Sequence, residues 1–550
     1  MSDMQEYIVT AKTMDDATSL LDDMETVGGN LYIPARQVGV AQRREISRNT
    51  HFYLTLEEAE QVRNDPRVLA VELLPSAQGI EAFPHWTQTA NFEKSQLIDS
   101  NDKNWGLFRV TAGEHLANWG IDGTFTQTNQ TIKTTSSGKD VDVVIVDAHI
   151  NPDHPEFKTN PNGTGTSRVN QYNWFQHSGL LGYTTVGAYD YSDISSNHGT
   201  HVAGTVAGNT QGWARDATIY NMEFDYAGGN APAGDWTLYI FDYIRAFHAN
   251  KPINPLTGKR NPTITNHSWG YSYGFLSLSS ITSVTYRGTT TAVTGSTSQR
   301  KTILEANGVP VPGGTYLYRP PVRISALDAD IQDAIDDGVL VISSAGNSYW
   351  NVATTDLSDY NNSIVFSGIT INHTQGSSPG AANNVICVGS VATSTNEYKS
   401  DFSNYGKRVD IWAPGQYIVS GVYDTTAASE FGIILANDPR DSNFKLGSIS
   451  GTSMSSPQVA GYLSCVAENQ PRLTQAEALQ HLITTAKEQV GDSGGASTTD
   501  YTALGTNSNN RYLFYKTTRP LTGTVSPAVQ FKDRPTTGTV YPRSRIRKYG

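Results

Sequence analysis

The chain has 550 residues, a formal net charge of −12 and 37% hydrophobic residues, which suits a large folded core with appendages rather than one small domain. The acidic balance argues against a nucleic-acid surface, and two cysteines, Cys387 and Cys465, exclude a disulfide framework. No run approaches eighteen apolar residues, so no membrane partner is expected; Met1-Ser2-Asp3-Met4-Gln5-Glu6 shows no signal peptide, which predicts a cytoplasmic chain, or a virion-associated one if virus-encoded.

Residues 1–80 read as a small α+β domain. A strand is expected over 6–10, an amphipathic helix over 15–26, a second strand over 30–40 interrupted by Pro34, and a third over 51–54. Thr55-Leu56-Glu57-Glu58 is a capping box opening a second helix, and Val68-Leu69-Ala70-Val71-Glu72-Leu73 closes the set. This βαββαβ order is ferredoxin-like. Residues 81–103 read as a linker, residues 104–490 as the main α/β domain, and 491–550 as a Gly/Ser/Thr-rich extension that packs on the core in places, for instance through Tyr512-Leu513-Phe514-Tyr515.

In the main domain, Val141-Asp142-Val143-Val144-Ile145-Val146-Asp147 is a β-branched run typical of a buried parallel strand, and it ends on a carboxylate. Residues just past the carboxyl ends of such strands face the ligand crevice. Asn197-His198-Gly199-Thr200-His201 opens a Gly/Ala-rich helix. Gly338-Val339-Leu340-Val341-Ile342-Ser343-Ser344-Ala345-Gly346-Asn347 is a second buried strand ending in small residues and an asparagine, and Cys387 falls inside a third. Gly451-Thr452-Ser453-Met454-Ser455-Ser456-Pro457 sets a serine between a glycine turn and a helix expected over 455–468, where Pro457 falls in the opening turn. A further helix is expected from Thr474 to about residue 488.

Together these residues describe nucleophilic catalysis. Ser453 is the candidate nucleophile, His198 its base, Asp147 the group that orients the imidazole, and the Asn347 amide a donor to a developing oxyanion. His201 reads as structural, and His149 and His154 as loop residues. Two histidines three apart, with no further ligand at a recognisable spacing, make only a weak metal signal, so no metal or other cofactor is expected.

The order Asp147, His198, Ser453 and the segments around them resemble the subtilisin-like serine proteases, or subtilases. Asn104-Trp105-Gly106-Leu107 is similar to the start of a mature protease domain, and Asn266-His267-Ser268-Trp269-Gly270 to the substrate-binding strand. Val385-Ile386-Cys387-Val388-Gly389-Ser390, Phe402-Ser403-Asn404-Tyr405-Gly406 and Ile411-Trp412-Ala413-Pro414-Gly415 match strands that usually precede the serine. The resemblance implies a three-layer α/β/α core around a mainly parallel sheet, and serine endopeptidase activity through an acyl-enzyme. A polypeptide substrate would lie beside Ser268, Trp269 and Gly270, facing Ser344, Ala345 and Gly346, with Trp269 able to narrow the pocket.

The resemblance further implies that the N-terminal domain is an inhibitory prodomain, a partner of its own peptidase, with processing between residues 76 and 103. The compact loop Gly208-Asn209-Thr210-Gln211-Gly212-Trp213 is closer to proteinase K and lacks a calcium excursion, so structural calcium is not indicated. Two insertions, 271–323 and 420–445, are expected to flank the cleft, the first with a hairpin turning at Arg287-Gly288. The pattern breaks after the aspartate: a small hydroxyl residue and glycine are usual there, and this chain has Asp147-Ala148-His149. An alternative reading is a virion-associated or scaffold protein that keeps the fold with little activity. An esterase is disfavoured by the missing Gly-x-Ser-x-Gly elbow.

Overall fold

The computed structural model describes residues 4–29, 31, 39–44, 46–78, 81–84, 105–113, 134, 136–160, 162–183, 186–193, 195–226, 235–394, 396–423, 433–491, 501–505 and 507–515. The N-terminal part runs β1 (Gln5–Ala11), α1 (Met14–Glu25), β2 (Gly39–Arg43), β3 (Asn49–Leu54), α2 (Leu56–Arg63) and β4 (Val68–Leu73). Its antiparallel sheet has the order β2-β3-β1-β4, the ferredoxin-like arrangement. Thr55 and Glu58 close the expected capping box on α2. Most of the strand expected over 30–40 lies outside the described residues.

Side-chain alternation along β1 gives the sheet two jobs. Tyr7 and Val9 join Leu20, Leu21 and Met24 of α1 in a local core, whereas Ile8 faces the main domain and packs with its residues. A short strand, β5 (Glu81–Pro84), follows, and then α3 (Trp105–Ala112).

The main domain continues with β6 (Asp142–Asp147), β7 (Val169–Asn170), α4 (Asn197–Ala207), β8 (Thr218–Glu223), α5 (Ile240–Asn250), β9 (Thr263–His267) and β10 (Trp269–Ser272). An inserted region adds β11 (Leu276–Ser277), β12 (Ile281–Tyr286), β13 (Thr289–Ala292), α6 (Thr297–Ala306) and β14 (Tyr316–Leu317). Then come α7 (Ser325–Asp336), β15 (Leu340–Ser344), β16 (Ser363–Phe366), β17 (Ile369–Ile371), β18 (Ile386–Val391), β19 (Ile411–Pro414), β20 (Ile418–Val422), β21 (Ile433–Asp438), β22 (Asp441–Ile449), α8 (Thr452–Asn469) and α9 (Gln475–Thr485).

Seven strands form one sheet in the order β19-β18-β15-β9-β6-β8-β7, with every neighbouring pair parallel. Both faces are covered, as an all-parallel sheet requires. Along β6, Val143 and Ile145 pack toward α4 and α8, while Val144 and Val146 pack toward α5 and α7. The expected three-layer α/β/α core is therefore present.

Strands β12 and β13 of the first insertion join β16 and β17, which follow β15, in a separate sheet, β13-β12-β16-β17, around a small core of Ile281, Val284, Leu304, Trp350 and Ile364. Arg287 and Gly288 both take positive φ, 48° and 83°, at the expected hairpin turn. The second insertion forms the sheet β20-β22-β21. Near the carboxyl end, Tyr512, Leu513 and Tyr515 are buried in the main core, and Tyr515 stacks on Trp213.

Buried neutral histidines make this fold acid-sensitive. Burial pushes His201, His267 and His373 down to about 3. His201 Nε2 bonds the Ile418 carbonyl at 2.7 Å, whereas neither ring nitrogen of His373 has a hydrogen-bond partner among the described residues. Their folded-state values lie below the unfolded value of about 6.5, so the unfolded chain takes up protons first. Stability is therefore full above about pH 6.5 and falls as pH drops below it, by up to about 1.4 kcal/mol per pH unit for each histidine. Urea midpoints measured between pH 7 and 4 should fall steeply, and His373→Leu should flatten that fall; an unchanged slope in the variant would contradict this account.

Candidate active site

At the carboxyl edge of the parallel sheet the predicted polar residues form two groups, Asp147 with His198, and Asn347 with Thr452 beside Ser453. Asp147 is the last residue of β6, and its Oδ1 accepts from His198 Nδ1 at 2.6 Å and from the Ala148 N–H at 2.9 Å. His198 is the second residue of α4, whose N-cap Ser196 accepts from the Gly199 N–H at 3.3 Å. Gly199 is required by close approach: a Cβ there would lie 2.3 Å from the Ala148 carbonyl oxygen and 2.4 Å from that of His149. Helix α4 can therefore sit directly on the loop that follows Asp147.

Ser453 is the second residue of α8, so its N–H belongs to the opening turn, where the N–H groups and the positive end of the dipole face outward. This corrects the sequence expectation, which started the helix at residue 455 with Pro457 in its first turn. Pro457 lies inside the helix, and it has no N–H to give the carbonyl four residues back, that of Ser453. Ser268 supplies the replacement, its Oγ donating to the Ser453 carbonyl at 3.0 Å. Ser453 Oγ in turn donates to the Ser268 carbonyl at 3.2 Å. Asn266 completes the tie between β9 and α8, donating to Ser268 Oγ at 3.0 Å and accepting from Ser456 Oγ at 2.7 Å.

Asn347 follows β15 with its amide orientation fixed. Its Oδ1 accepts from the Thr452 N–H at 2.9 Å and from Thr452 Oγ1 at 2.7 Å. Its Nδ2 is buried with no hydrogen-bond partner among the described residues. A buried donor without an acceptor carries a desolvation cost of about 1–3 kcal/mol, which an anionic oxygen would relieve. Gly346, at φ +102°, makes the turn that brings Asn347 here, and its N–H donates to Thr452 Oγ1 at 3.1 Å.

The other predicted site residues line the same edge. The hydroxyls of Ser343 and Ser344 donate to the His267 carbonyl at 3.1 and 3.4 Å. Asn404 holds the backbone of Ala345 and Gly346, donating to their carbonyls from Nδ2 and N–H at 2.8 Å each. Ser268 breaks the line between β9 and β10, and Trp269 and Gly270 open β10. Trp269 is fully buried, with its indole stacked on Phe224 at 5.5 Å in the apolar cluster rather than standing in a pocket. Both β10 residues pair antiparallel with β5, Trp269 opposite Pro84 and Gly270 opposite Phe83.

Of the other histidines, His201 is structural as expected. His154 is more than a loop residue: fully buried, it caps the turn at Pro155 by accepting from the Glu156 N–H at 3.2 Å, and it bonds the Lys445 carbonyl at 2.9 Å. His149 contacts Glu223 through Nδ1 and lies 3.7 Å from Asp193. Among the described residues no group of three or more His, Cys, Asp or Glu is placed to hold a metal ion, and no helix is long and apolar enough to cross a membrane.

Residues that the sequence reading passed over support this site. Thr452, Asn404, Asn266 and Ser456 fix the backbone on which Ser453 and Asn347 stand. A hydroxyl residue immediately before the candidate serine is the local signal that marks Thr452 in the sequence.

Fold and site together define a class: three-layer α/β proteins with Asp, His and Ser, in that chain order, at the carboxyl edge of a parallel sheet. Residues 138–512 match the Subtilase family of peptidases. The chain belongs to the subtilase family. It is 24% identical over 420 residues to a subtilisin-like proteinase, Spm1, of Pyricularia oryzae, covering 76% of this chain and 55% of that protein. It is also 23% identical over 439 residues to an extracellular serine proteinase of a Thermus species, covering 80% and 71%. The chain thus spans about half the length of the fungal relative. A cold-adapted subtilisin-like serine proteinase of known structure aligns with a TM-score of 0.42 and 20% identity, over 75% of this chain and 98% of that one.

Proposed function

We propose that the chain is a serine endopeptidase in which His198 takes the proton of Ser453 Oγ as it attacks a peptide carbonyl. Asp147 holds the imidazole in the tautomer that leaves Nε2 facing the serine, and an acyl-enzyme forms that water then releases. Asn347 Nδ2 and the Ser453 N–H receive the oxyanion. The observation that carries this reading is the 2.6 Å Asp147–His198 contact at the strand edge where Ser453 opens a helix. No cofactor takes part in these steps.

The same reading makes residues 1–80 an inhibitory prodomain and a polypeptide the substrate. Antiparallel pairing of β5 with β10 is the mode by which an extended peptide adds to a sheet edge, so the N-terminal segment occupies the strand a substrate would use. Its domain is anchored on α5 and α7 through a buried charge cluster. Arg44 donates to Asp242 at 2.8 Å, to Asp330 at 2.7 Å and to the Leu238 carbonyl at 2.7 Å. Ser47 and Asn49 also donate to Asp330, at 2.6 and 2.7 Å. The Glu72 carboxylate accepts from the first N–H groups of α7, Ser325 at 3.3 Å and Ala326 at 3.1 Å, a favourable place for a negative charge.

Processing should therefore cut shortly after Pro84. Intact mass and N-terminal sequencing of freshly made protein should show a new N-terminus just beyond that residue, absent from a Ser453→Ala form. An unprocessed wild type alongside a fully active site would contradict the prodomain reading. Arg44→Ala leaves two buried carboxylates without their cation, a change that costs about 3–5 kcal/mol in buried pairs. It should loosen the N-terminal domain and speed the appearance of activity; an unchanged time course would argue against this anchor.

A further inference from the structure

The loop after Asp147 carries a second acid–imidazole pair. Asp147 and Glu223 are direct partners in the parallel β6–β8 ladder, so both side chains leave the same face of the sheet at its carboxyl edge. Glu223 is buried and contacts His149 Nδ1, while His149 Nε2 lies 3.7 Å from Asp193. The backbone between is gripped from two sides. Gly199 of α4 abuts the carbonyls of Ala148 and His149. On the β8 side, Asn221 donates to the Ala148 carbonyl at 3.3 Å and accepts from the Ile150 N–H at 3.2 Å.

Asp147 itself is held through one oxygen. Oδ1 accepts from His198 and from the Ala148 N–H, whereas the buried Oδ2 has no hydrogen-bond partner among the described residues. The Ala148 N–H moves with the 148–150 backbone, so the aim of Asp147 depends on how firmly that loop is fixed.

We propose that His149 and Glu223 are positioning residues that clamp this loop and so hold Asp147 against His198, in place of a hydroxyl contact to Asp147 Oδ2. The inference rests on the reading of Asp147, His198 and Ser453 given above. The charge state of the pair fits the role. Burial, with Asp225, Asp193 and Asp190 adding to it, pushes Glu223 up to about 8, and burial holds His149 below the ordinary imidazole range. Tyr189, Tyr191 and Tyr226 also face Glu223 and stay neutral, burial raising each phenol above its ordinary value. Both groups are thus held in their neutral forms beside the Asp147–His198 couple near pH 7.

Turnover of a peptide substrate by the full chain tests the clamp. His149→Ala and Glu223→Leu should each lower kcat by roughly 10- to 100-fold with KM little changed, since a misplacement near 1 Å costs about 100-fold. Adding Ala148→Ser to His149→Ala should recover most of the loss, the new hydroxyl offering a donor to Asp147 Oδ2, which has no partner among the described residues. Glu223→Leu, which nearly preserves size and removes the polar group, carries the test if His149→Ala fails to fold. An unchanged kcat in folded variants, or a loss that Ala148→Ser does not repair, would overturn the clamp and leave the peptidase reading standing. A folded wild type with no Ser453-dependent turnover would overturn that reading, and the clamp with it.

Discussion

Ser453→Ala is expected to lower kcat for peptide hydrolysis by about a million-fold, the scale established for subtilisin itself when its serine or histidine is removed. The size follows from what is lost. Without Oγ there is no covalent path, and His198, still bound to Asp147 at 2.6 Å, has no proton to accept from a nucleophile. Donor groups and substrate binding alone leave about a thousand-fold to ten-thousand-fold acceleration over water. His198→Ala should cost a similar factor, and the double variant little more than either single one, because the groups act as a unit. Multiplying losses, or a Ser453→Ala enzyme within ten-fold of wild type, would mean that another group performs the chemistry.

The second large effect is expected at Asn347. Removing one oxyanion donor typically costs about 100- to 1000-fold in kcat, and Asn347→Leu should fall in that range with KM nearly unchanged. The amide cannot rotate to compensate, because Thr452 holds Oδ1 through both its N–H and its hydroxyl. Thr452→Val tests the point separately. It leaves the Asn347 donor in place and removes one of the two bonds that aim it, so its loss should be smaller, about ten-fold if the aim shifts by a fraction of an ångström. Equal losses in both variants would place the effect in the backbone around Gly346 rather than in the amide.

Where chemistry and local pattern coincide, the site was legible in the sequence. Asp147 ends a β-branched run, His198 opens a Gly/Ala-rich helix, and Asn347 ends a second buried run; each pattern also fixes where its residue emerges. The start of α8 was not legible. Local rules put a helical proline in the first turn, whereas Pro457 lies deeper in the helix, where the hydroxyl of Ser268, remote in sequence, bonds the Ser453 carbonyl.

Contacts made across the fold were equally hidden. Residues 81–84 read as linker because their strand character comes from the edge of β10, which they meet only in three dimensions. Nothing local in the sequence marks Arg44 as a buried cation; its partners Asp242 and Asp330 are remote in the chain. Glu223 gives no local sign of its pairing with His149, since the pair depends on the register of β6 against β8. Trp269 looked like a pocket residue, and its indole instead fills the apolar cluster beside Phe224.

Covalent labelling with a fluorophosphonate probe, read by peptide mass spectrometry, tests the central claim most directly. The probe should be applied to the intact protein and to protein whose N-terminal domain has been removed by processing. A single adduct on Ser453, strongest in the processed form and absent from His198→Ala, is the predicted result. A folded, processed protein that gives no adduct at Ser453 would contradict the assignment of a serine peptidase site.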